Sequence, residues 1–330
     1  MNKLKGRDFL TLLDYSREDL ETILNLAFDL KMKLASGEPT PLLAGKNLGM
    51  LFCSPSTRTR ASFETAMSQL GGHAQYFGIE TIQGHLSENW VDTAQVFSRY
   101  LNGLVVRLAR LPAPFPTLKY GECRQTLELM ADNASIPLVN ALDDEEHPCQ
   151  TMADIMTIME KLGSDFKKKK IAVPWVQYDH WVSPGMAHST ALAGATLGMH
   201  LTFAYPPGFD LDSKYMDEAK RRAEQSGATI EITSSLDEAC EDADVILATY
   251  WGSVSNKDED AKLREPFASW CINERHFDIA AKNAIFMNCM PLRRGMQATA
   301  EVVDGPMSVI YDEAENRLHT EKAILSLIMG

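Results

Sequence analysis

The chain has 330 residues, of which 45% are hydrophobic and 23% are charged. This composition is typical of a globular protein, and the length is enough for two domains that each bury a core without disulfides. Asp and Glu total 45 against 32 Lys and Arg, which gives a formal net charge of −13. A chain this acidic is a poor candidate for a binder of nucleic acids or of anionic membranes.

The cysteines and the N-terminus narrow the class of protein further. The 6 cysteines contain no C-x-x-C pair, so their spacing does not predict a zinc site. We interpret them as reduced thiols of a cytoplasmic protein. The first ten residues, MNKLKGRDFL, lack the apolar core of a signal peptide, and no apolar run is as long as a membrane span.

Helical and strand patterns alternate along the chain, which predicts α/β domains whose parallel sheets are covered by helices. In the first half, a helix is expected from Ser16 to about Ala35, and the expected strands are residues 46–53, 74–77, 104–107 and 137–140. In the second half, the expected strands are residues 171–175, 201–205, 229–233, 245–249, 284–288 and 308–311. A helix over residues 148–162 leads into the second domain, a final helix covers residues 315–328, and the polar residues 253–266 are expected to form a loop. The predicted domains are residues 1–150, completed by residues 315–330, and residues 151–314.

Residues 54–64 (SPSTRTRASFE) join a predicted strand to a predicted helix. The backbone N–H groups and partial positive charge of a helix N-terminus suit a phosphate. Ser56, Thr57 and Thr59 add hydroxyl donors, and Arg58 adds a planar guanidinium that matches phosphate oxygens. The alternative is an ordinary capped helix with its arginines in solvent. The chain has neither G-x-x-x-x-G-K-[ST] nor G-x-G-x-x-G after a strand, which removes the main support for a P-loop enzyme or a nicotinamide dehydrogenase.

The sequence resembles the aspartate/ornithine carbamoyltransferase family in motifs that follow the family's order and cover nearly the full chain. They are residues 56–64 (STRTRASFE), 70–72 (LGG), 106–107 (VR), 147–150 (HPCQ), 288–291 (NCMP) and 312–319 (DEAENRLH). The resemblance implies two doubly wound, Rossmann-like domains joined by two helices, with the site between them. It also implies an enzyme that transfers a carbamoyl group without a metal or other cofactor. The alternative is a non-catalytic homologue that binds carbamoyl phosphate or another anion.

The resemblance implies that the first domain binds carbamoyl phosphate. Ser56, Thr57 and Arg58 would hold the phosphate. Thr59, Arg107 and His147 would converge on the carbamoyl oxygen, which gains negative charge as the carbonyl becomes tetrahedral. The residues implied to bind carbamoyl phosphate are Ser56, Thr57, Arg58, Thr59, Arg107, His147, Gln150, Cys289, Met290 and Arg317. Those implied to be catalytic are Arg58, Thr59, Arg107, His147 and Cys289. His147 precedes Pro148, so it is also a candidate helix N-cap.

Cys289 invites interpretation as a nucleophile. Because the family transfers the carbamoyl group directly, we expect the Cys289 turn to line the site and its backbone carbonyls to accept a proton from the amine. Asn288 stands where the family motif has His, and Asn cannot titrate. The family resemblance therefore leaves any proton relay at this position unsupported.

The second domain is expected to select the amine, and it departs from the ornithine and aspartate enzymes. Residues 250–252 (YWG) and 290–294 (MPLRR) are similar to the branch that carbamoylates N-acylated ornithine. Residues 175–189 have the length of the loop that forms a knot in that branch. That branch has lysines where this chain has Thr249 and Gln297, so the acceptor is expected to differ. N-acyl-ornithine is the first expected acceptor, free ornithine the second and an unassigned amine the third.

The implied acceptor contacts come from several segments: Gln83, Trp90, Asp143, Tyr250, Trp251 and Arg293. In the family, the loop corresponding to residues 83–90 reaches into a neighbouring subunit, which implies a homotrimer with shared sites. Trp90 is equally suited to core packing on its own helix. Of the acidic residues 143–146 (DDEE), one is expected near the acceptor amine and the rest in solvent.

Overall fold

The structure is a computed structural model that describes residues 3–82, 88–109 and 118–330. By its contacts, the chain divides into two units, which are Met1–Ala153 with Glu315–Gly330 (unit 1) and Asp154–Ala314 (unit 2). The helices Pro148–Leu162 and Ile310–Met329 each belong partly to both units. Among the described residues, no helix combines the length and the apolar character needed to cross a membrane.

Unit 1 contains a sheet in which paired strands run parallel, in the order β2-β1-β3-β4. The strands are β1 (Asn47–Phe52), β2 (His73–Gly78), β3 (Gly103–Leu108) and β4 (Leu138–Asp143). The helices are α1 (Arg17–Ala35), α2 (Thr57–Gln69), α3 (Trp90–Tyr100), α4 (Glu122–Asn133) and α5 (Pro148–Leu162). Short 3₁₀ turns lie at Leu12–Asp14 and Ile79–Thr81.

Local sequence explains these elements. Ser16 and Asp19 form a reciprocal capping box that starts α1. The central strands β1 and β3 are almost continuously buried, as expected for a parallel sheet covered by helices. A Cβ added at Gly103 would lie 2.8 Å from the Met329 sulfur, so the end of the last helix packs closely against β3.

The strand order determines where unit 1 can hold a ligand. From β1 the chain passes to β2 on one side and then to β3 on the other side of β1. In such sheets, ligands bind at the carboxyl ends of the strands where the order reverses. The segments after β1, β3 and β4 therefore share one edge of the sheet.

Unit 2 contains a second parallel sheet, in the order β7-β6-β5-β8-β9. The strands are β5 (Lys170–Pro174), β6 (His200–Ala204), β7 (Thr229–Thr233), β8 (Val245–Leu247) and β9 (Ile285–Met287). The helices are α6 (Gly185–Leu197), α7 (Ser213–Ser226), α8 (Leu236–Cys240), α9 (Asp260–Arg264), α10 (Glu274–Ile279) and α11 (Ala300–Val303), and the final helix, α12 (Ile310–Met329), begins in unit 2 and continues in unit 1. Short 3₁₀ turns lie at Gly163–Lys168, Lys257–Glu259 and Glu265–Phe267.

The predicted α/β class, with a parallel sheet in each half, is confirmed, whereas the knotted path of residues 175–189 stays a prediction. Two local predictions are wrong. Residues 308–311 do not form a strand, because Ser308 makes a single bridge to Phe286 and α12 begins at Ile310. Residues 253–266 are not simply a loop, because they include α9, where the buried Asp260 carboxylate accepts the Ser253 N–H at 2.8 Å.

Candidate active site

The turn after β1 has the geometry of an anion site. The Ser56 side chain caps α2 by accepting the Thr59 N–H at 3.4 Å, and Thr57 is the first helical residue. The first-turn N–H groups of a helix are favourable partners for phosphate oxygens. Within the described residues, the Arg58 guanidinium makes no hydrogen bond or ion pair.

Arg60 differs from Arg58 although it lies on the same helix. Its Nε donates to Glu64 Oε1 at 3.0 Å, and its guanidinium lies 4.0 Å from the centre of the Tyr76 ring. Arg60 is thus part of a surface ion pair and a cation–π contact. Arg58 is the arginine of this turn that is available to an anion.

Arg107 lies near the end of β3 and His147 follows β4, at the same edge of the sheet. The pairing of β3 with β4 shifts register between Val106 and Arg107, and such irregularities redirect side chains at strand ends. His147 lies between β4 and α5 and is buried. Burial lowers the pKa of His147 well below 6.5, and the positive charges of Arg317 and Arg107 lower it further. The imidazole is therefore neutral at physiological pH.

Arg317 links the three helices that surround this edge. From α12, its Nη1 donates to Gln150 Oε1 at 2.7 Å, and its Nη2 donates to Thr59 Oγ1 at 3.3 Å. The same guanidinium donates to Glu321 Oε1 from Nε at 2.9 Å and from Nη2 at 2.6 Å. Arg317 and Glu321 are buried. Sequence reasoning missed Glu321, although the Arg-x-x-x-Glu spacing on one helix was visible.

The acidic residues Asp143, Asp144, Glu145 and Glu146 are buried, so the expectation that most of them are solvated is wrong. Arg124 compensates part of this charge: its Nε lies 2.6 Å from Asp143 Oδ2 and its Nη2 lies 3.3 Å from Glu146 Oε2. The sequence did not reveal Arg124, which lies on α4, far from these acids in the chain.

Asp144 has a separate structural role. Its carboxylate accepts the N–H groups of Gly121, Cys123 and Arg124 at 2.7, 3.2 and 3.0 Å, so it caps the start of α4. Burial, with the charge of Asp143, raises the pKa of Asp144 to about 6, although these bonds oppose the shift. Burial raises the pKa of Glu146 to about 7, against the opposing charge of Arg124. A contact of Asp143 with an acceptor stays a prediction.

In unit 2, Tyr250 and Arg293 meet around Tyr178. The rings of Tyr178 and Tyr250 stack with centroids 4.1 Å apart, and the Tyr250 hydroxyl donates to Pro291 O at 3.1 Å. The Arg293 guanidinium lies 5.4 Å from the Tyr178 ring centre and forms an ion pair with Asp179. About half of the Arg293 side chain is exposed. Sequence reasoning missed Tyr178 and Asp179.

Trp251 lies in the interior of unit 2. Its indole N–H donates to Phe209 O at 2.8 Å, and its carbonyl accepts the Trp175 indole N–H at 2.7 Å. The side chain is 3% exposed. Trp251 therefore stabilises its own segment, and its contact with an acceptor stays a prediction.

The three residues that differ from the family motifs, Gln297, Thr249 and Asn288, are buried and held by contacts within unit 2. Gln297 is fully buried, and its side chain accepts the Arg293 N–H and donates to Gln177 O at 2.9 Å. Thr249 is also buried, and its backbone bridges to Trp175 just beyond the ends of β8 and β5. Asn288 is held by a bond from its side-chain nitrogen to Ala248 O at 2.8 Å. Cys289 follows it and is half-buried.

Three predicted site residues remain: two of them pack against core clusters, and one lies outside the described residues. Met290 is half-buried and packs against a core cluster of unit 2. Trp90 is the first residue of α3 and packs against a core cluster of unit 1, in agreement with the alternative of core packing. Gln83 lies outside the described residues.

Comparison with known proteins identifies the family. Residues 7–160 match the family model of the aspartate/ornithine carbamoyltransferase carbamoyl-P binding domain. Residues 179–328 match the model of the aspartate/ornithine carbamoyltransferase Asp/Orn binding domain. Together the matches cover most of the chain.

Whole-chain relatives agree with these matches. The chain is 39% identical to the ornithine carbamoyltransferase of Halalkalibacterium halodurans, over 99% of this chain and 96% of that protein. It is 40% identical to that of Symbiobacterium thermophilum, over the full length of both.

Solved structures give the same result. The ornithine carbamoyltransferase of Pyrococcus furiosus superposes with a TM-score of 0.87 at 38% identity, covering 99% of this chain and 98% of that one. An acetylornithine transcarbamylase complexed with acetylcitrulline superposes with a TM-score of 0.89 at 30% identity, covering 98% and 99%. The chain belongs to the aspartate/ornithine carbamoyltransferase family and is a carbamoyl-transferring enzyme.

Proposed function

We propose that the protein transfers the carbamoyl group of carbamoyl phosphate to the side-chain amine of an ornithine-like acceptor and releases phosphate. The observation that carries the proposal is the convergence of the α2 N-terminus, His147, Gln150 and Arg317 at one sheet edge of unit 1. The proposal places this reaction in arginine metabolism.

The proposed chemistry divides these groups between the two ends of carbamoyl phosphate. Ser56, Thr57 and Arg58 hold the phosphate and stabilise it as the leaving group. The neutral amine attacks the carbonyl carbon, the bond from that carbon to the phosphate oxygen then breaks, and the proton that the amine nitrogen loses leaves on the phosphate. In the tetrahedral stage between these events, negative charge develops on the carbonyl oxygen. The Arg107 guanidinium and the hydroxyl of Thr59 stabilise this charge. Because His147 is neutral, its contribution is a hydrogen bond from one ring N–H rather than a positive charge.

N-acyl-ornithine is the favoured acceptor. The support is the resemblance of residues 175–189 and 250–253 to the N-acyl branch, together with the similarity of the fold to an acetylornithine transcarbamylase. Arg293 is the proposed partner of the acceptor's α-carboxylate. Tyr250, which stacks on Tyr178 beside Arg293, would form an apolar wall for the aliphatic chain.

Free ornithine is the second candidate because one observation favours it. Asp179 pairs with Arg293 and accepts a hydrogen bond from His180 Nδ1 at 2.7 Å when that nitrogen is protonated. An acid beside a base suits an amino acid that carries both an α-ammonium and an α-carboxylate. An N-acylated amino acid has no α-ammonium group for the acid. The relatives named above as ornithine carbamoyltransferases add support for this candidate.

The test is phosphate release from carbamoyl phosphate with a panel of acceptors: ornithine, N-acetylornithine, N-succinylornithine, aspartate and putrescine. The proposal predicts turnover with at least one acceptor that contains the ornithine skeleton, with an N-acyl form fastest. Turnover with aspartate alone would contradict the acceptor class. No turnover with any acceptor would contradict the proposed function.

We further propose that the protein is a homotrimer with shared sites, as the family resemblance implies. Analytical ultracentrifugation of the active enzyme tests this assembly. A fully active monomer would exclude shared sites.

A further inference from the structure

The buried carboxylate of Glu321 has no role in the chemistry proposed above, yet it contacts one of the groups in the site. Glu321 lies one helical turn after Arg317 on α12, and one of its oxygens accepts two hydrogen bonds from the guanidinium. Both side chains are at most 5% exposed. Their ion pair is therefore an interior contact and not a solvated surface pair.

This ion pair fixes the direction in which Arg317 points. With Nε and one Nη2 hydrogen directed at Glu321, the plane of the guanidinium is set, and its other side reaches Gln150 Oε1 and Thr59 Oγ1. A planar guanidinium bonded in two directions has little rotational freedom. Arg317 thus joins α12 to the first turns of α2 and α5.

The same geometry orders the two groups that Arg317 contacts. Thr59 Oγ1 accepts a hydrogen bond from Arg317, so the hydroxyl hydrogen is directed elsewhere and can be donated to a ligand. Gln150 Oε1 faces Arg317, so the amide nitrogen of Gln150 points away from it. The contacts with Arg317 therefore set which side of Gln150 faces the ion pair and leave the Thr59 hydroxyl hydrogen for a carbonyl oxygen.

Stability alone does not explain a buried ion pair, because desolvation of the two charges offsets most of their attraction. Removal of one partner, however, leaves the other charge buried without compensation. At this site the remaining charge would be Arg317, close to Arg107 and His147.

We propose that Glu321 is a positioning residue that acts through Arg317 to orient Thr59 and Gln150 toward the carbamoyl group. The inference rests on the proposed function, since it takes carbamoyl phosphate as the ligand of these groups. It assigns Glu321 no contact with the substrate.

Steady-state kinetics of two variants test the proposal. Glu321→Gln keeps the volume and one acceptor oxygen but removes the charge, so kcat should fall about tenfold. Glu321→Ala also removes the acceptor, and kcat should fall about a hundredfold, with the KM for carbamoyl phosphate changed less than about threefold. The matched control is Glu315→Gln, an exposed acid on the same helix that lies 3.6 Å from Lys31, which should keep normal kcat. If Glu321 has only a structural role, its variants should have lower melting temperatures but a kcat of the folded enzyme within twofold of wild type, which is about the resolution of such measurements. That result would overturn the proposal.

A crystal structure of Glu321→Gln and, if it folds, Glu321→Ala supplies a readout that does not depend on turnover. The proposal predicts that the Arg317 guanidinium leaves hydrogen-bond distance of Thr59 or Gln150 in at least one variant. If Arg317 keeps both contacts in every variant obtained, Glu321 does not position it and the proposal fails. Absence of turnover in the wild-type enzyme would instead contradict the proposed function, and the position of Arg317 would still decide the role of Glu321.

Discussion

The candidate residues of unit 1 and unit 2 differ in burial and in how firmly they are held. Thr59, His147 and Arg317 are buried, and the Arg317 guanidinium is bonded to groups on three helices. Arg293 in unit 2 is about half exposed, and its ionic partner Asp179 is also partly exposed. The first region is a buried, hydrogen-bonded set of polar groups, whereas the second is a surface ion pair beside stacked tyrosines.

This difference matches the demands of the two substrates. A transition state common to all carbamoyl transfers requires donors that are already in place before the reaction. Selection of an acceptor requires only a difference in affinity between related amines, which exposed side chains can provide. We therefore expect substitutions in unit 1 to affect stability and kcat, and substitutions at Arg293 or Asp179 to affect the acceptor KM.

The largest effect is expected from Arg124→Ala, because this change leaves Asp143 and Glu146 buried without their cation. Breaking a buried pair in this way costs about 3–5 kcal/mol of unfolding free energy. Urea denaturation would measure it. The control is Arg60→Ala, which removes a surface pair with Glu64 and should cost less than about 1 kcal/mol. Equal losses in the two variants would mean that the buried pairs of Arg124 stabilise unit 1 no more than a surface pair does.

The next effect concerns the two arginines assigned to carbamoyl phosphate. Arg58→Ala or Arg107→Ala should lower kcat/KM at least about a hundredfold while the fold persists, since each removes a preorganised cation. Initial rates and circular dichroism would check both points. Arg60→Ala is again the matched control and should stay within about threefold of wild type, because Arg60 is already occupied by Glu64 and Tyr76.

Substitutions in unit 2 should have a smaller effect that is confined to the acceptor. Arg293→Ala should raise the acceptor KM about tenfold and leave the KM for carbamoyl phosphate unchanged, since it removes one exposed charge partner. Asp179→Asn should raise the KM for ornithine but not for N-acetylornithine. The control is Arg275→Ala, which removes an exposed arginine of unit 2 that pairs with Asp237 and should leave both KM values unchanged. A rise in the carbamoyl phosphate KM of Arg293→Ala would break the division between the two regions.

The smallest effect is a pH dependence of stability from His147. Below pH 6.5 the unfolded chain takes up a proton at this histidine, whereas the folded chain does not because burial and two arginines lower its pKa. The free energy of unfolding of the wild type should thus fall by about 1 kcal/mol more between pH 7.5 and 5.5 than that of His147→Gln. Asp144 and Glu146 act in the opposite direction but equally in both proteins. Identical pH dependence in the two proteins would show that His147 is not held neutral.

The sequence predicted features that depend on local pattern. Apolar runs indicated strands such as β1 and β3, and the Ser-Thr-Arg-Thr segment indicated a helix N-terminus with anion-binding groups. The exception was the run at residues 308–311, where a short apolar segment does not distinguish a strand from the first turn of a helix.

The features that the sequence did not reveal depend on contacts between distant segments. Most of the acidic residues 143–146 were predicted to lie in solvent, because nothing near them in the chain indicates that Arg124 pairs with them. Asp179 and Arg293 are likewise far apart in sequence, and their pairing depends on two loops of unit 2 that the strand pattern does not define.

Calorimetric titration with carbamoyl phosphate in the absence of any acceptor tests the central claim most directly, because it examines the unit 1 site alone. The account predicts saturable binding to the wild type and to Arg60→Ala, and affinity weaker by at least about tenfold for Arg58→Ala, the expected loss of a charge-assisted contact. No binding to the wild type, or equal affinity in the Arg58 and Arg60 variants, would contradict it.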